Sequence, residues 1–176
     1  MELKITTDIK GLEELIKQYP EASKKARISR ITEACAFLEN RLKLAPDEGG
    51  HTPRGAGMKG HYFASIFHKV EYGQKIELGT PIRGIVTSPF EYGEALEYGR
   101  SPGKYPPRKP IQAWVEKKLE VSGKEAKAVA FLVARKIAKQ GTKGAHMYEK
   151  TLEENKERVI SILNKIPEDI VNGLKK

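Results

Sequence analysis

SIFHKVEYGQKIELGTPIRGIVTS, from Ser65 to Ser88, is the stretch that separates a mixed fold from an all-helical one. It holds three β-prone runs, SIFHKVEY, KIELG and IRGIVTS, divided at Gly73-Gln74 and at Thr80-Pro81. Branched and aromatic side chains suit a pleated backbone, and Gly or Pro beside them marks the turns. In the first run Ile66, His68, Val70 and Tyr72 fall on one side and Phe67, Lys69 and Glu71 on the other, because a strand sends successive side chains to opposite faces. The alternation predicts a small antiparallel meander with one face free to cover helices.

Helical spacing appears on both sides of it. A short helix-like stretch surrounds Leu12, Leu15 and Ile16, and Pro20 stands where a first-turn proline would open a second helix. Ile28, Ile31, Cys35, Leu38 and Leu42 then share one face, leaving Lys24, Arg27, Arg30 and Arg41 to the others, which predicts a long amphipathic helix ending before Pro46. The stretch DEGGHTPRGAGMKG, residues 47–60, is rich in Gly and poor in apolar side chains and predicts a flexible loop. Beyond Pro110, Ile111 to Leu119 reads as a short helix carrying Trp114, and Ser122 with Glu125 has the form of a capping box. The next helix, from Lys124 to about Gln140, lines up Ala126, Val129, Ala130, Val133, Ala134 and Ile137 and stops near Gly141. Lys124, Lys127, Arg135, Lys136 and Lys139 make its opposite face basic, while Phe131 and Leu132 fall outside the apolar stripe. A last helix begins near Ala145, carries Tyr148, Leu152, Val159, Leu163 and Ile166, and is expected to stop at Pro167 with one frayed turn beyond.

The expected fold is therefore α+β, with a small antiparallel β-sheet of roughly three to four strands packed against a long N-terminal helix and C-terminal helices. One domain spanning 1–176 is expected, with the flexible loop at 47–60 and a helical C-terminal extension at 145–176. The composition agrees, since 39% hydrophobic residues supply a core and 31% charged residues of mixed sign argue against wholesale disorder. No apolar run is long enough to span a bilayer, and the N-terminus MELKITTDIKG lacks the apolar centre of a secretory signal. Synthesis in the cytoplasm and no membrane partner are expected.

Searching for chemistry yields little. GRSPGK, Gly99 to Lys104, has the outline of a phosphate-binding loop, but one residue too few separates its glycines. Tyr105 stands where Ser or Thr would hold magnesium, and Pro102, Pro106 and Pro107 remove backbone donors. His51, His61, His68 and His146 lack the paired spacing of metal ligands, and Glu91, Glu94 and Glu97 read as one helical turn beside tyrosines. Cys35, the single cysteine, reads as a small buried hydrophobe. No catalytic residue, cofactor site or metal site is assigned, and an assembly subunit is favoured over an enzyme.

From Glu91 the chain reads EYGEALEYGRSPGKYPPRKPIQAWVEKKL, and from Phe131 it reads FLVARKIAKQGTKGAHMYEKTLEENKERVISIL. The order is a Tyr-Gly turn, a Glu-Tyr-Gly stop, a Pro-rich loop, a Trp-Val helix, a helix ending in Gly-Thr-Lys, and a Met-Tyr helix. With the KIELGT run before it, this order resembles the neck and tail-completion proteins of long-tailed bacteriophages and prophages, a family of head-tail joining and tail-component subunits, over roughly residues 25–165. The resemblance implies a small α+β virion protein, located at the neck and tail junction and made in the host cytoplasm. It implies a homo-oligomeric ring between portal or adaptor proteins and tail-tube or tail-terminator proteins, close to packaged DNA, with no catalytic residues. The long Pro loop and the strong positive charge set this chain apart from the family pattern.

A ring is built from contacts in which one patch meets a different patch on the next copy. Large aromatics with few rotors and proline-held loops suit such patches. The candidate subunit interface is accordingly Tyr92, Tyr98, Arg100, Tyr105, Phe131 and Leu132, with Trp114 read as largely core. The alternative rests on charge. Thirty-two Lys and Arg against 23 Asp and Glu leave +9, which would suit a basic nucleic-acid-binding module, although the basic residues lie on helix faces without a recognition signature.

Overall fold

The computed structural model describes residues 2–6, 12–44, 58–73, 81–90 and 92–174. The chain is α+β. It runs through β1 (Glu2–Thr6), α1 (Leu12–Gln18), α2 (Pro20–Leu44), α3 (Met58–Ser65), β2 (Phe67–Glu71) and β3 (Arg83–Thr87). Then follow α4 (Gly93–Glu97), β4 (Gly99–Arg100), α5 (Arg108–Leu119), α6 (Gly123–Gln140), β5 (Thr142–Lys143), α7 (Met147–Leu163) and α8 (Ile166–Leu174). These elements form two compact units, one from residues 2–44, 66–88 and 148–176, the other from 45–65 and 89–147. The glycine-rich segment expected as a loop lies outside the described residues as far as 57, and its last three residues open α3 instead.

In the first unit the sheet order is β1-β3-β2, antiparallel throughout. Two of the three expected runs supply β2 and β3, while KIELG lies outside the described residues. The third strand is β1, in which Leu3 and Ile5 are buried and Glu2 and Lys4 are exposed. Partners directly across an antiparallel pair share a face, so the register puts Leu3, Ile5, His68, Val70 and Val86 on the same side as Gly84. That side meets α2, because a Cβ at Gly84 would strike Cys35 Sγ and Ile31 Cγ2. The expected division of β2 holds, with His68 and Val70 turned inward and Phe67, Lys69 and Glu71 outward.

Helix α2 buries Ile31, Cys35, Leu38 and Leu42 on the stripe read from its spacing. Arg27, expected on an outer face, is buried instead, and that burial lowers its pKa. Near the start of α2, Ala26 packs with Ile166 and Ile170 of α8, and Ile16, Tyr19, Ala22 and Leu163 close around them. The tail is thus a nine-residue helix and not a frayed turn. Pro167 occupies its first turn, where a missing N–H costs nothing. Burying a side chain the size of Ile170 contributes about 1.5–3 kcal/mol. Arg30 fastens the same pair of helices, donating to Asp169 through Nε at 2.5 Å and Nη2 at 2.8 Å.

In the second unit α5 and α6 form a hairpin whose core is Val115, Ala126 and Ala130, flanked by Ile111, Trp114, Val121 and Val129. Trp114, expected as largely core, is half-buried against it. Helix α5 begins at Arg108, three residues earlier than its apolar spacing suggests, with Pro110 inside the first turn. Ser122 takes the extended N-cap conformation of α6, but its side chain makes no capping hydrogen bond, so the expected capping box does not form. Gly141 ends α6 by donating its N–H to the Ile137 carbonyl at 2.8 Å.

Candidate assembly surface

The surface is built on a short ladder in the second unit. Helix α4 closes when the Tyr98 N–H donates to the Glu94 carbonyl, and Gly99, at φ +79°, turns the chain into β4. Antiparallel pairing then joins Gly99 to Lys143 and Arg100 to Thr142 in β5. A side chain at Gly99 would be strained at this φ and would also strike the Thr142 carbonyl. The loop after β5 is sewn to α4, with Ala145 N–H donating to the Leu96 carbonyl at 2.8 Å and His146 N–H to the Glu97 carbonyl at 3.0 Å. Glu97 is itself fully buried, which the reading of Glu91, Glu94 and Glu97 as an ordinary helical turn did not anticipate. Glu91 lies outside the described residues.

The Pro-rich loop is fixed to this ladder and to α6. Arg100 Nη2 donates to the Lys104 carbonyl at 2.7 Å, and the Gly103 N–H donates to the Ala138 carbonyl at 2.8 Å. Tyr105 is thereby held over α6, its ring nearly parallel to that of Phe131 with centroids 6.4 Å apart. The Arg108 guanidinium lies 5.3 Å from the centre of the same Phe131 ring, a cation–π distance. Leu132, beside it, is 59% exposed. Tyr98 is equally exposed and meets His146 edge to face at 6.2 Å.

Four of the six sequence-derived candidates, Tyr98, Tyr105, Phe131 and Leu132, therefore present exposed apolar or aromatic surface. Arg100 is half-buried and acts on the loop backbone. Tyr92 stands apart from them, half-buried between Phe90, stacked at 5.1 Å, and Tyr62, tilted at 5.6 Å. Burial and the neighbouring Tyr62 push its hydroxyl pKa up. Sequence reasoning missed Arg108 and His146. The signal for Arg108 was its place three residues after Tyr105, at the start of the helix carrying Trp114. His146 could not be found this way, because its contact with Tyr98 exists only once β4 and β5 pair.

Charge is concentrated on the same elements. Between residues 100 and 143 there are twelve Lys and Arg against three Glu, a balance of +9 that equals the net charge of the whole chain. Lys124, Lys127, Arg135, Lys136 and Lys139 of α6 are all exposed. The candidate surface is thus an aromatic and aliphatic centre on a strongly basic background. Among the described residues no group of three His, Cys, Asp or Glu is placed to hold a metal ion, and no helix is long and apolar enough to cross a membrane. Comparison with protein-family models, with curated proteins and with solved structures gave no match.

Proposed function

We propose that this chain is a structural, non-catalytic subunit of a phage head-tail connector, a neck or tail-completion protein that assembles into a ring between portal and tail. The observation that carries the reading is the β4–β5 ladder. Two of the ordered motifs that carry the resemblance, the Glu-Tyr-Gly stop and the Gly-Thr-Lys helix end, pair with each other in it. These two motifs are therefore parts of one physical module, and that module presents Tyr98, Tyr105, Phe131 and Leu132 on a backbone held by hydrogen bonds. Rigid aromatic surface binds with little loss of conformational entropy, which suits a subunit contact. In this reading the partners are further copies of the chain, a portal or adaptor protein on one side and a tail-tube or terminator protein on the other. Electron microscopy of purified virions labelled with gold-conjugated antibody is the test: label at the neck is expected, and particles lacking the protein would end the reading.

The concentration of all the net charge in residues 100–143 favours one second reading, a basic nucleic-acid-binding module. Phosphate contacts release counterions, so its affinity for duplex DNA would fall steeply with salt. Titration at two salt concentrations separates the readings, since salt-insensitive or absent binding removes the second.

A further inference from the structure

We propose that the outer face of α6 docks onto the acidic outer row of α7 in a second copy of this chain, giving a head-to-tail contact. The inference rests on the assembly reading and names the two patches that would meet. Helix α6 turns Ala126, Ala130 and Ala134 inward, leaving Phe131 and Leu132 exposed among Lys124, Arg135 and Lys139. Helix α7 buries Tyr148, Thr151, Val159 and Ile162 and leaves Glu149, Glu153 and Glu157 exposed. Those three are four residues apart and so form one row along the helix. Ile160, 46% exposed, continues the row one turn on, and Lys150 and Lys156 border it.

Each patch thus offers apolar surface beside a charged row, basic on α6 and acidic on α7, with Lys150 and Lys156 flanking the acidic row. A symmetric contact between two α6 faces would instead set basic rows against each other, which is destabilising. The charge pattern selects a heterologous contact, the kind that closes rings. The exposed Leu132 and Phe131 at the centre favour a protein occupant over a phosphate backbone, because desolvating them is worthwhile only against apolar surface.

The test compares wild type, Arg135→Glu/Lys139→Glu, Glu153→Lys/Glu157→Lys and the four-fold combination by light scattering over a range of concentration and salt. Circular dichroism melts verify folding. Wild type should self-associate, less so in high salt; either reversed pair should weaken association by about tenfold or more, and the combination should restore it. In a mixture of isotopically light and heavy copies, zero-length carbodiimide coupling should give mixed-isotope links between α6 lysines and α7 glutamates. Association unaffected by the reversed pairs, or not restored by the combination, overturns the inference while leaving ring assembly intact. A wild type that stays monomeric throughout overturns it too, and virion labelling then decides the broader reading separately. Loss of duplex-DNA binding in the α6 variant with association unchanged would reassign this face to nucleic acid.

Discussion

At Gly84 the sheet and α2 come so close that a methyl group has no room. A Cβ there would lie 2.7 Å from Ile31 Cγ2 and closer still to Cys35 Sγ. Gly84→Ala is expected to cost about 1–3 kcal/mol through overpacking, read as a lower midpoint in chemical unfolding. Adding Cys35→Ala should return part of the loss, and an unchanged midpoint in the single variant would contradict the close approach. Burial also pushes the Cys35 thiol up to about 11. The folded protein should therefore resist maleimide at about pH 8, while the denatured chain reacts readily. The position of Cys35 was legible because it shares a helical stripe with Ile31 and Leu38. That of Arg27 was not, since a guanidinium normally marks a wet face and only tertiary packing places this one inside. Tertiary packing also half-buries Tyr92: its neighbour Tyr62 arrives from α3, thirty positions earlier.

Two prolines carry the same local chemistry at element boundaries. Pro20 opens α2, as its position predicts, while Pro167, which the spacing predicts as a stop, lies in the first turn of α8. The residue is equally suited to a first turn in both places, and only the burial of Ile166 and Ile170 against α2 distinguishes a helix from a fraying tail. Strand β1 is not legible in the sequence, because five alternating residues are a weak signal and its partner β3 lies some eighty positions away. Helix α8 yields two expectations. Ile170→Ala should lower stability by about 2–5 kcal/mol, measured by thermal or denaturant unfolding. Asp169, hydrogen-bonded by Arg30 strongly enough to outweigh its desolvation, is held below its ordinary 3.8. A depressed carboxylate contributes stability that is complete above the unfolded value and lost as pH falls through the folded one. Asp169→Asn should therefore cost about 1–2 kcal/mol near neutral pH, and the difference from wild type should vanish as the pH falls below 3.8. A difference that persists in acid would show that the pair acts through shape and not charge.

For the whole molecule, the α+β class was legible from the switch in periodicity around Ser65 to Ser88. The division into two units was not. Each unit is assembled from separated segments, so no linker of distinct composition separates them along the chain. The unit carrying the three-stranded sheet needs residues 148–176 for its core. A chain ending after Met147 would leave Ile16, Tyr19 and Ala26 uncovered. It should lose cooperative unfolding of the sheet-bearing unit and aggregate, as followed by circular dichroism and light scattering; a soluble, cooperatively melting fragment with native strand content would refute this. Residues 100–143 hold a balance of +9, and the structure exposes Phe131 and Leu132 of α6 among those basic side chains.

The cluster of Ala26 with Ile166 and Ile170 also fixes a timetable. At about 5–20 residues per second, translation delivers Ile170 on the order of ten seconds after Ala26. Throughout that interval the start of α2 leaves the ribosome with its apolar side open to chaperones and to neighbouring nascent chains. Crowded polysomes should be where this protein is most easily lost to aggregation, and slowing initiation, which spaces the ribosomes apart, should raise the soluble fraction.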